Sequence, residues 1–586
     1  RSLPKTSSGK IMRQACRAHF LSGELGSLTQ HTFAIAQDAT ALPTRTELLA
    51  FERPVQHQRL LEAVRDQVAQ RAGLPRDAIG SDAPLRNHGL DSLDAIELQQ
   101  QLEGALLTPV PLSHLLNGPP LSQLIALWLD ALVHTHPPQP PTLLSPSARP
   151  LEGPQPLSWQ QERSWHFDRA LEQGTFRFHV SGAYRLDGPY NDSALRHSLR
   201  ALTQRHTALR TQFAEVNGRP IQTIADVIEI EPTVLDVRHL SGAEQQQQIE
   251  RLAQTQVNTP FVLEQGPLVR VSAVRTATEQ ATLLLTLHHI IADATSLALF
   301  AREFHHLYDA RIRGVEPDLT PVPLQFIDVI HWQRRTLAPQ AAAKIAYWKE
   351  RLADAPKRSQ LQVSASRAVD SGHVVVSLPP SEVKALRRLS QEHGVTLYMT
   401  LMTACQITLH QLTGMEDLLV DTVFANRTHE ALDHTLGFMA ENLVLRADLT
   451  GNPTLATMLG RVRTGVLEAW ERHAWRSLFA TDPQLREIAL SPLCVNMQPP
   501  LVGRSMAGRA TRLTPMPELT RRLMVHCLGA ILYMFPSEEG SLHIDLVHNQ
   551  ALFSEAWARQ ALEQMQFILR TACTTPEVTL EALMRP

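Results

Sequence analysis

Cysteine is scarce in this chain, with five residues in 586. The five stand far apart and form no CxxC pair; they are Cys16, Cys405, Cys494, Cys527 and Cys573. Such spacing fits neither a disulfide framework nor a thiolate metal site. No histidine has cysteine or carboxylate partners at metal-binding spacing either. We therefore expect reduced thiols in a cytoplasmic protein and no bound metal ion.

The chain also lacks a large excess of charge of one sign, and it lacks long apolar runs. The formal net charge is -3, from 55 basic and 58 acidic residues. This balance supplies no field for binding nucleic acid or an anionic membrane face. No apolar run approaches the roughly 18–20 residues that a membrane span needs, and no signal peptide opens the chain. We expect neither a nucleic-acid partner nor a membrane span.

Composition divides the chain unevenly. Hydrophobic residues make up 43%, which is enough for ordinary buried cores, and the length predicts several domains. A run of prolines that starts at Pro137 is typical of a stiff interdomain linker. The first residue is an arginine, so we expect a slice of a larger polypeptide. The predicted division is a basic tail at 1–25, a spacer at 26–57, a helical stretch at 58–134, the linker at 135–153 and a long mixed region at 154–586.

The helical stretch contains a serine where a helix is predicted to start. Apolar residues recur at helical spacing before and after the string Gly89-Leu90-Asp91-Ser92-Leu93. A serine there can be an ordinary helix N-cap, or its hydroxyl can carry a phosphodiester beside the positive end of the helix dipole. The string and its helix pattern resemble acyl and peptidyl carrier proteins. The resemblance implies a small four-helix bundle with 4′-phosphopantetheine attached to Ser92.

The basic tail contains the string LPKTSSGKIMR, at residues 3–13. On charge alone it reads as a solvated tail. It resembles the last motif of adenylate-forming enzymes, and with residues 15–25 it looks most like the fatty acyl-AMP ligase branch. In that family the lysine matching Lys10 contacts the acyl carboxylate and ATP. The ligase body is absent from this sequence, so Lys10 cannot adenylate a substrate here.

In the long region a hairpin leads to a pair of histidines. Residues 268–274 alternate and predict a half-exposed strand, 276–280 a turn, and 281–287 a buried strand. Further on, 383–412 predict one or two amphipathic helices, and 418–423 predict a strand.

The buried strand ends in His288-His289-x-x-x-Asp293. Histidine can act as a base or hydrogen-bond partner near neutral pH. Adjacent histidines at a strand end point opposite ways, so only one can face a given channel. Asp293 could pair with a buried arginine and hold the loop. From these residues alone, a structural pair of histidines is at least as well supported as a catalytic one.

The surrounding strings, in order, resemble nonribosomal peptide synthetase condensation domains. They are LSWQQERSW at 157–165, RHTALRT at 205–211, Asn426-Arg427 and Gly437-Phe438. The resemblance implies an α/β fold with two lobes like chloramphenicol acetyltransferase, at about 154–333 and 334–586. It also implies that His289 is catalytic and that His288, Asp293 and Arg427 support its loop. Ala294 stands where the family has glycine. This raises the question whether the backbone at this position needs a conformation that only glycine adopts easily.

The resemblances together imply a fragment of a lipopeptide assembly line. Its expected reaction is transfer of a fatty acyl group from Ser92 to the α-amine of an aminoacyl group on a downstream carrier. The other expected partners are an upstream ligase or adenylation domain and a phosphopantetheinyl transferase. Two alternatives stay open: an epimerase-type domain, whose second-lobe glutamate motif is not found, and a non-catalytic platform that recruits another enzyme. A heterocyclase is disfavoured because it would replace the first histidines by aspartate.

Overall fold

The computed structural model describes most of the chain from residue 42 to residue 583. The described ranges are 42–72, 75–88, 92–106, 108, 110–111, 114–115, 118–134, 153–170, 178–356, 371–427, 430–472, 475–488, 493–498, 510–524, 529–537 and 539–583. Lys10, the loop residues Gly89 to Asp91, Cys16 and Cys527 lie outside them.

The first unit is a small helical bundle. Its helices are α1 (Arg45–Leu49), α2 (Arg53–Ala72), α3 (Ser92–Leu106) and α4 (Leu121–His134). Thr44 starts α1 with a capping box, in which its side chain and that of Glu47 each bond the other's backbone N–H. The bundle is held together by apolar side chains that are almost fully buried, including Leu48, Leu60, Leu98, Leu124 and Trp128. This bundle confirms the predicted carrier fold.

The N-terminal boundary of the bundle stays a proposal. Helix α2 begins at Arg53, and Leu48 of α1 belongs to the buried core. The packed helices therefore start before Gln58, inside the range predicted as a spacer. The reason is that Thr44 caps the additional short helix α1, which packs on the bundle through Leu48.

The second unit begins with a five-stranded sheet covered by helices. Its elements are α5 (Trp159–Ala170), β1 (His179–Asp187), α6 (Asp192–Arg205), β2 (Thr211–Val216), β3 (Arg219–Ile224), β4 (Thr233–Asp236), α7 (Gly242–Asn258), β5 (Val269–Ala277), β6 (Gln280–His288), α8 (Ala294–Arg313) and α9 (Phe326–Thr336). The strand order is β11-β1-β6-β5-β4, in which β11 is the later strand Arg512–Pro515, and β2 and β3 form a separate hairpin. We call this unit the N-lobe.

The hairpin of β5 and β6 lies at the centre of this sheet. It differs from the prediction in two ways: the turn is only two residues long, and β5 is mostly buried where a half-exposed strand was predicted. The reason is that helices pack on both sides, with Val274 against α7 and Val271 in the core that includes α8. Side-chain alternation could not reveal that second layer.

A six-stranded sheet forms the core of the last unit, the C-lobe. Its elements are α10 (Ala338–Arg351), β7 (Ser371–Leu378), α11 (Pro380–Glu392), α12 (Leu397–Thr413), β8 (Asp417–Phe424), β9 (Glu441–Asp448), α13 (Leu455–Glu471), α14 (Arg476–Phe479), α15 (Pro483–Ile488), β10 (Leu493–Met497), β11 (Arg512–Pro515), α16 (Pro517–Arg522), β12 (Ala530–Pro536), β13 (Leu542–Asn549), α17 (Glu555–Thr574) and α18 (Leu580–Leu583). The strand order is β7-β13-β12-β10-β8-β9.

One strand of the second half crosses to the N-lobe. Strand β11 pairs antiparallel with β1, with Tyr184 opposite Pro515. Two contacts extend this junction: Met516 donates its backbone N–H to Ala183, and Asp309 of α8 accepts from Thr511. A division of the chain at 333/334 therefore assigns β11 to the wrong sheet, and it also cuts through α9. Local periodicity carries no information about such a long-range pairing.

The stretch predicted as one or two amphipathic helices forms two, α11 and α12, separated near Gly394. Helix α12 is not amphipathic, because residues 399–410 are buried without interruption. It lies between the C-lobe sheet and other helices, including α13 and α17. Among the described residues, none of the helices combines the length and the apolar character that crossing a membrane requires.

Candidate active site and carrier serine

Ser92 occupies the position that the sequence predicted for it. It is the first residue of α3, a helix of 15 residues whose inner face contributes Ala95, Leu98 and Leu102 to the bundle core. The first N–H groups of a helix lack partners within the helix, and the helix dipole favours an anion there. This position fits a phosphodiester attached to a serine.

The two histidines at the end of β6 have different environments. His288 is the last residue of the strand and is buried, and its Nδ1 accepts a hydrogen bond of 3.2 Å from the Ile290 N–H. The rings of His179 and Phe261 stand edge-on to it at 5.9 Å. Burial holds the pKa of His288 well below its usual value. His288 is thus a neutral core side chain that fixes the turn after the strand.

His289 points the other way and keeps part of its surface exposed. Its ring stacks on Phe178 at 4.4 Å with an interplanar angle of 17°. The ring of Phe438, also 4.4 Å away, packs against it at 56°. Its Nδ1 is shielded and has no hydrogen-bond partner among the described residues. Nε2 is therefore the nitrogen available to a substrate.

The charge state of His289 follows from this packing. Burial lowers the pKa of His289 to about 4; the charge of Asp293 opposes that shift, and that of Arg163 adds to it. An imidazole with such a pKa is neutral at pH 7. It can then accept a hydrogen bond or a proton at Nε2.

Asp293 holds the turn and connects the two lobes. It is the N-cap of α8, with Oδ1 accepting from the Ser296 N–H at 2.8 Å and from Arg427 Nη2 at 3.3 Å. Its Oδ2 accepts from the backbone N–H groups of Met439 and Ala440, both at 3.1 Å. Burial alone would raise the pKa of Asp293, but Arg427 and the Ser296 bonds hold it below its usual value. The expected pairing of Asp293 with a buried arginine is what the structure contains.

Arg427 ties the same site to the loop after β8. Its side chain is 6% exposed. Besides Asp293, it donates to the Ser296 hydroxyl at 3.1 Å and to the Thr435 carbonyl at 2.8 Å. It also donates to the Leu432 carbonyl. One guanidinium therefore fixes Leu432 and Thr435 against the start of α8.

The short segment from Gly437 to Ala440 places Phe438 against the His289 ring. The Gly437 N–H donates to the Ser296 hydroxyl, which donates back to the Gly437 carbonyl. A Cβ on Gly437 would lie 2.3 Å from the Phe326 ring, so only glycine permits this approach. Because Ser296 and Asp293 hold both ends of the segment, they also set the position of Phe438 against His289.

Ala294, which replaces the family's glycine, causes no distortion. It is the first residue of α8, exposed, and is not among the residues with positive φ. Any residue adopts this helical conformation, so the position does not require glycine.

Sequence reasoning assigned no role to a charged cluster between His289 and the C-lobe sheet. Arg163 of α5 interacts electrostatically with His289, Asp421 and Glu441. Asp421 Oδ2 also pairs with Arg476 Nε at 2.7 Å. Burial raises the pKa values of Asp421 and Glu441. Arg163 was visible in the string at 157–165, but the acids come from β8 and β9, whose approach no local pattern predicts.

Residues 151–475 match the family model described as the condensation domain, over more than half of the chain. The chain belongs to the condensation domain family. In this condensation protein, residues 62–128 also match the model described as the phosphopantetheine attachment site. That match shows a carrier domain of the kind that bears covalently attached 4′-phosphopantetheine.

Relatives agree with this assignment. A linear gramicidin synthase from Brevibacillus parabrevis is 37% identical over 320 residues, which is 54% of the condensation protein and 6% of that relative. The phosphinothricin tripeptide synthetase PhsB from Streptomyces viridochromogenes is 32% identical over 405 residues, which is 68% of the condensation protein and 34% of that relative. The chain thus spans only a small part of the length of such relatives.

Solved structures share the two-lobed fold. SgcC5 from Streptomyces globisporus has a TM-score of 0.62 at 24% identity, covering 72% of this chain and all of that one. The starter condensation domain of rhizomide synthetase RzmA, solved with C8-CoA, has a TM-score of 0.62 at 17% identity and covers 74% and 98%. The two-lobed α/β fold predicted from the sequence is confirmed.

Proposed function

We propose that this chain forms an amide bond in nonribosomal peptide synthesis. An acyl group held as a thioester on its carrier domain is transferred to the α-amine of an aminoacyl group on a downstream carrier. The observation that carries the proposal is the neutral imidazole of His289, a half-buried residue held between Phe178 and Phe438, in a chain that also contains a carrier.

Ser92 is proposed as the attachment residue. When bound there, 4′-phosphopantetheine supplies the thiol that holds the acyl group as a thioester. The chain's own contribution is the start of α3, where backbone N–H groups and the helix dipole favour the phosphodiester. A tethered acyl group is also present at a high effective concentration. A phosphopantetheinyl transferase is the expected partner for this modification.

His289 is proposed to act on the acceptor amine. A thioester is already activated, so the main requirement is to align the amine with the carbonyl and to manage one proton. Neutral Nε2 accepts a hydrogen bond from the amine and takes its proton as the C–N bond forms and the C–S bond breaks. The proton then leaves with the thiol. His288, Asp293 and Arg427 act through the loop that holds this ring.

Arg163 is proposed to favour the charge that develops during attack. As the amine adds, negative charge collects on the acyl oxygen, and a fixed cation nearby stabilises it. Arg163 is a half-buried residue, and its charge interacts with His289. Its acidic neighbours Asp421 and Glu441 hold it in place.

A fatty acyl group is proposed as the donor. The support is the resemblance of residues 1–25, with Lys10, to the tail of a fatty acyl-AMP ligase directly upstream of the carrier. An upstream ligase or adenylation domain would then load a fatty acid on the carrier. These residues lie outside the described part of the chain, so the support comes from sequence.

The reaction can be tested with a loaded carrier. Octanoyl-pantetheine is placed on Ser92, aminoacyl carrier is offered, and amide product is measured by mass. His289→Ala should slow amide formation by about 10²–10⁴, the usual contribution of an acid–base group. His306→Ala, at a histidine of α8, serves as the matched control. Wild-type rates in His289→Ala would place the chemistry elsewhere.

The identity of the donor is tested in the same assay. Octanoyl and longer acyl donors should react faster than aminoacyl donors of similar size. If aminoacyl donors form amide and acyl donors do not, the fatty acyl assignment is wrong while amide formation stands.

A further inference from the structure

The two faces of the C-lobe sheet differ in chemistry. One face carries Leu532, Ile544 and Leu546 into the core shared with helices α12 and α17. The opposite face presents the alternate residues of the same strands. Pairing places Cys494 next to Asp421, and Tyr533 directly opposite Asp545. We call the group Asp421, Cys494, Tyr533, Asp545 and His373 the polar strip.

One end of the polar strip lies near an arginine that also interacts with His289. Arg163, on the N-lobe helix α5, interacts electrostatically with Asp421 and Cys494 at one end of the strip, and with His289. Strands lie about 4.8 Å apart in a sheet, so Asp545, two strands beyond Cys494, is roughly 10 Å further along. The strip therefore leads away from the catalytic ring along the inner surface of the C-lobe.

Asp545 is the unusual member of the strip. It is fully buried, and neither carboxylate oxygen has a hydrogen-bond partner in the described part of the chain. In the described part of the chain, His373 is a nearby group that can become a cation, and its Nδ1 lies 3.7 Å from Oδ2, beyond hydrogen-bond distance. A buried carboxylate without hydrogen bonds is costly, and native proteins seldom retain one without a partner.

The surroundings of Asp545 suit a cationic ligand. Burial raises the pKa of Tyr533, and the nearby charges of Cys494 and Asp545 add to it, so the phenol stays neutral. A neutral phenol offers an oxygen acceptor, and its ring attracts a cation. On the other side, His373 is 25% exposed and Val375, opposite Asp545 in the register, is 45% exposed. The site is therefore close to open space.

We propose that Asp545, with Tyr533 and His373, binds an ammonium group of a substrate. An ammonium brings three donors to a carboxylate that has acceptors to spare. Two sources share this chemistry: a basic side chain on the acceptor amino acid and an amino group on the donor acyl chain. This proposal depends on the proposed function in one respect only: the ammonium group arrives as part of a substrate of that reaction.

Binding is tested first, without catalysis. n-Butylammonium chloride and 1-butanol are titrated into the full chain, and the imidazole signals of His373 are followed by NMR. The wild type should bind the ammonium more tightly than the alcohol, and Asp545→Asn should weaken ammonium binding about 10- to 100-fold, as expected for a hydrogen bond to a charged group. Glu392→Gln, which removes the same charge from the exposed surface of α11, should bind like the wild type. Equal ammonium affinity in wild type and Asp545→Asn overturns the proposal.

Catalysis then identifies the source. Lysyl and norleucyl acceptors are compared with one donor, and 6-aminohexanoyl and hexanoyl donors with one acceptor. One of these two comparisons involves the substrate whose ammonium group binds at Asp545. In that comparison, the kcat/KM of the amino substrate divided by that of its uncharged counterpart should fall about 10-fold or more in Asp545→Asn. Unchanged ratios in both arms overturn the substrate role. A wild-type enzyme that forms no amide at all refutes the proposed function instead, while the titration still decides the subsite.

A third variant guards against misfolding. Replacing a whole buried ion pair with apolar residues of similar volume is often neutral or stabilising, and a carboxylate without a partner has no pairing energy to lose. Asp545→Leu should therefore keep or raise the Tm and abolish ammonium binding. A large drop in Tm would mean that the fold already uses the carboxylate, and that result also contradicts the proposal.

Discussion

Replacing Asp293 by asparagine tests how the site is held. The carboxylate accepts four hydrogen bonds: the Ser296 N–H and Arg427 on Oδ1, and the Met439 and Ala440 N–H groups on Oδ2. Asparagine has one oxygen, so its amide group must face donors in either orientation. The buried guanidinium of Arg427 also loses its counter-charge.

The magnitude follows from that loss. Removing one partner of a buried ion pair costs about 3–5 kcal/mol of unfolding free energy, because the other charge stays buried. Amide formation should also fall, since the segment that Asp293 holds carries Phe438 against His289. Unfolding in urea, followed by tryptophan fluorescence, measures the first effect, and the loaded-carrier assay measures the second.

Glu392→Gln is the matched control. Its pair with Arg388 is exposed, with side chains 54% and 80% accessible, and exposed pairs contribute about 0–1 kcal/mol. If Asp293→Asn lost no more stability than this control, Asp293 would not hold the loop. If stability fell but the rate per folded molecule did not, the connection from Asp293 through Phe438 to His289 would be refuted.

Three other predictions follow from the site. Since the pKa of His289 lies near 4 and burial also lowers that of His288, both imidazoles resist protonation in the folded state. The unfolding free energy should therefore rise with pH between about 4 and 6.5, and a flat profile contradicts this. Ala294→Gly should change stability by less than about 1 kcal/mol and leave amide formation unchanged, as read by urea unfolding and product mass. Ser92→Ala should abolish the mass increase after phosphopantetheinyl transfer. An unchanged mass increase would show that another residue carries the group.

Local patterns predicted the elements that carry the site. The apolar run before His288 identified β6, and opposite orientation of adjacent residues predicted that only one histidine would be accessible. Helix periodicity and the serine string predicted the carrier bundle. These features depend on neighbours within a few residues, so the sequence contains their signals.

Features that depend on distant partners could not be predicted in this way. The acids around Arg163 come from β8 and β9, and the stacking of Phe178 and Phe438 on His289 joins residues far apart in the chain. Predicting that most of β5 is buried also required knowing that helices cover both faces of its sheet. Such placements follow from tertiary packing, which overrides local alternation.

The crossing of β11 into the N-lobe sheet limits how condensation domains with this topology can be recombined. A chimera that swaps only residues before about 333 would pair a foreign β1 with the original β11, and would bring in a different partner for Thr511 and Met516. The seam between parental sequences would then run through a hydrogen-bonded ladder. Hybrid synthetases should tolerate exchange of the whole two-lobed body, or of the first half together with residues 510–524, better than exchange of the first half alone.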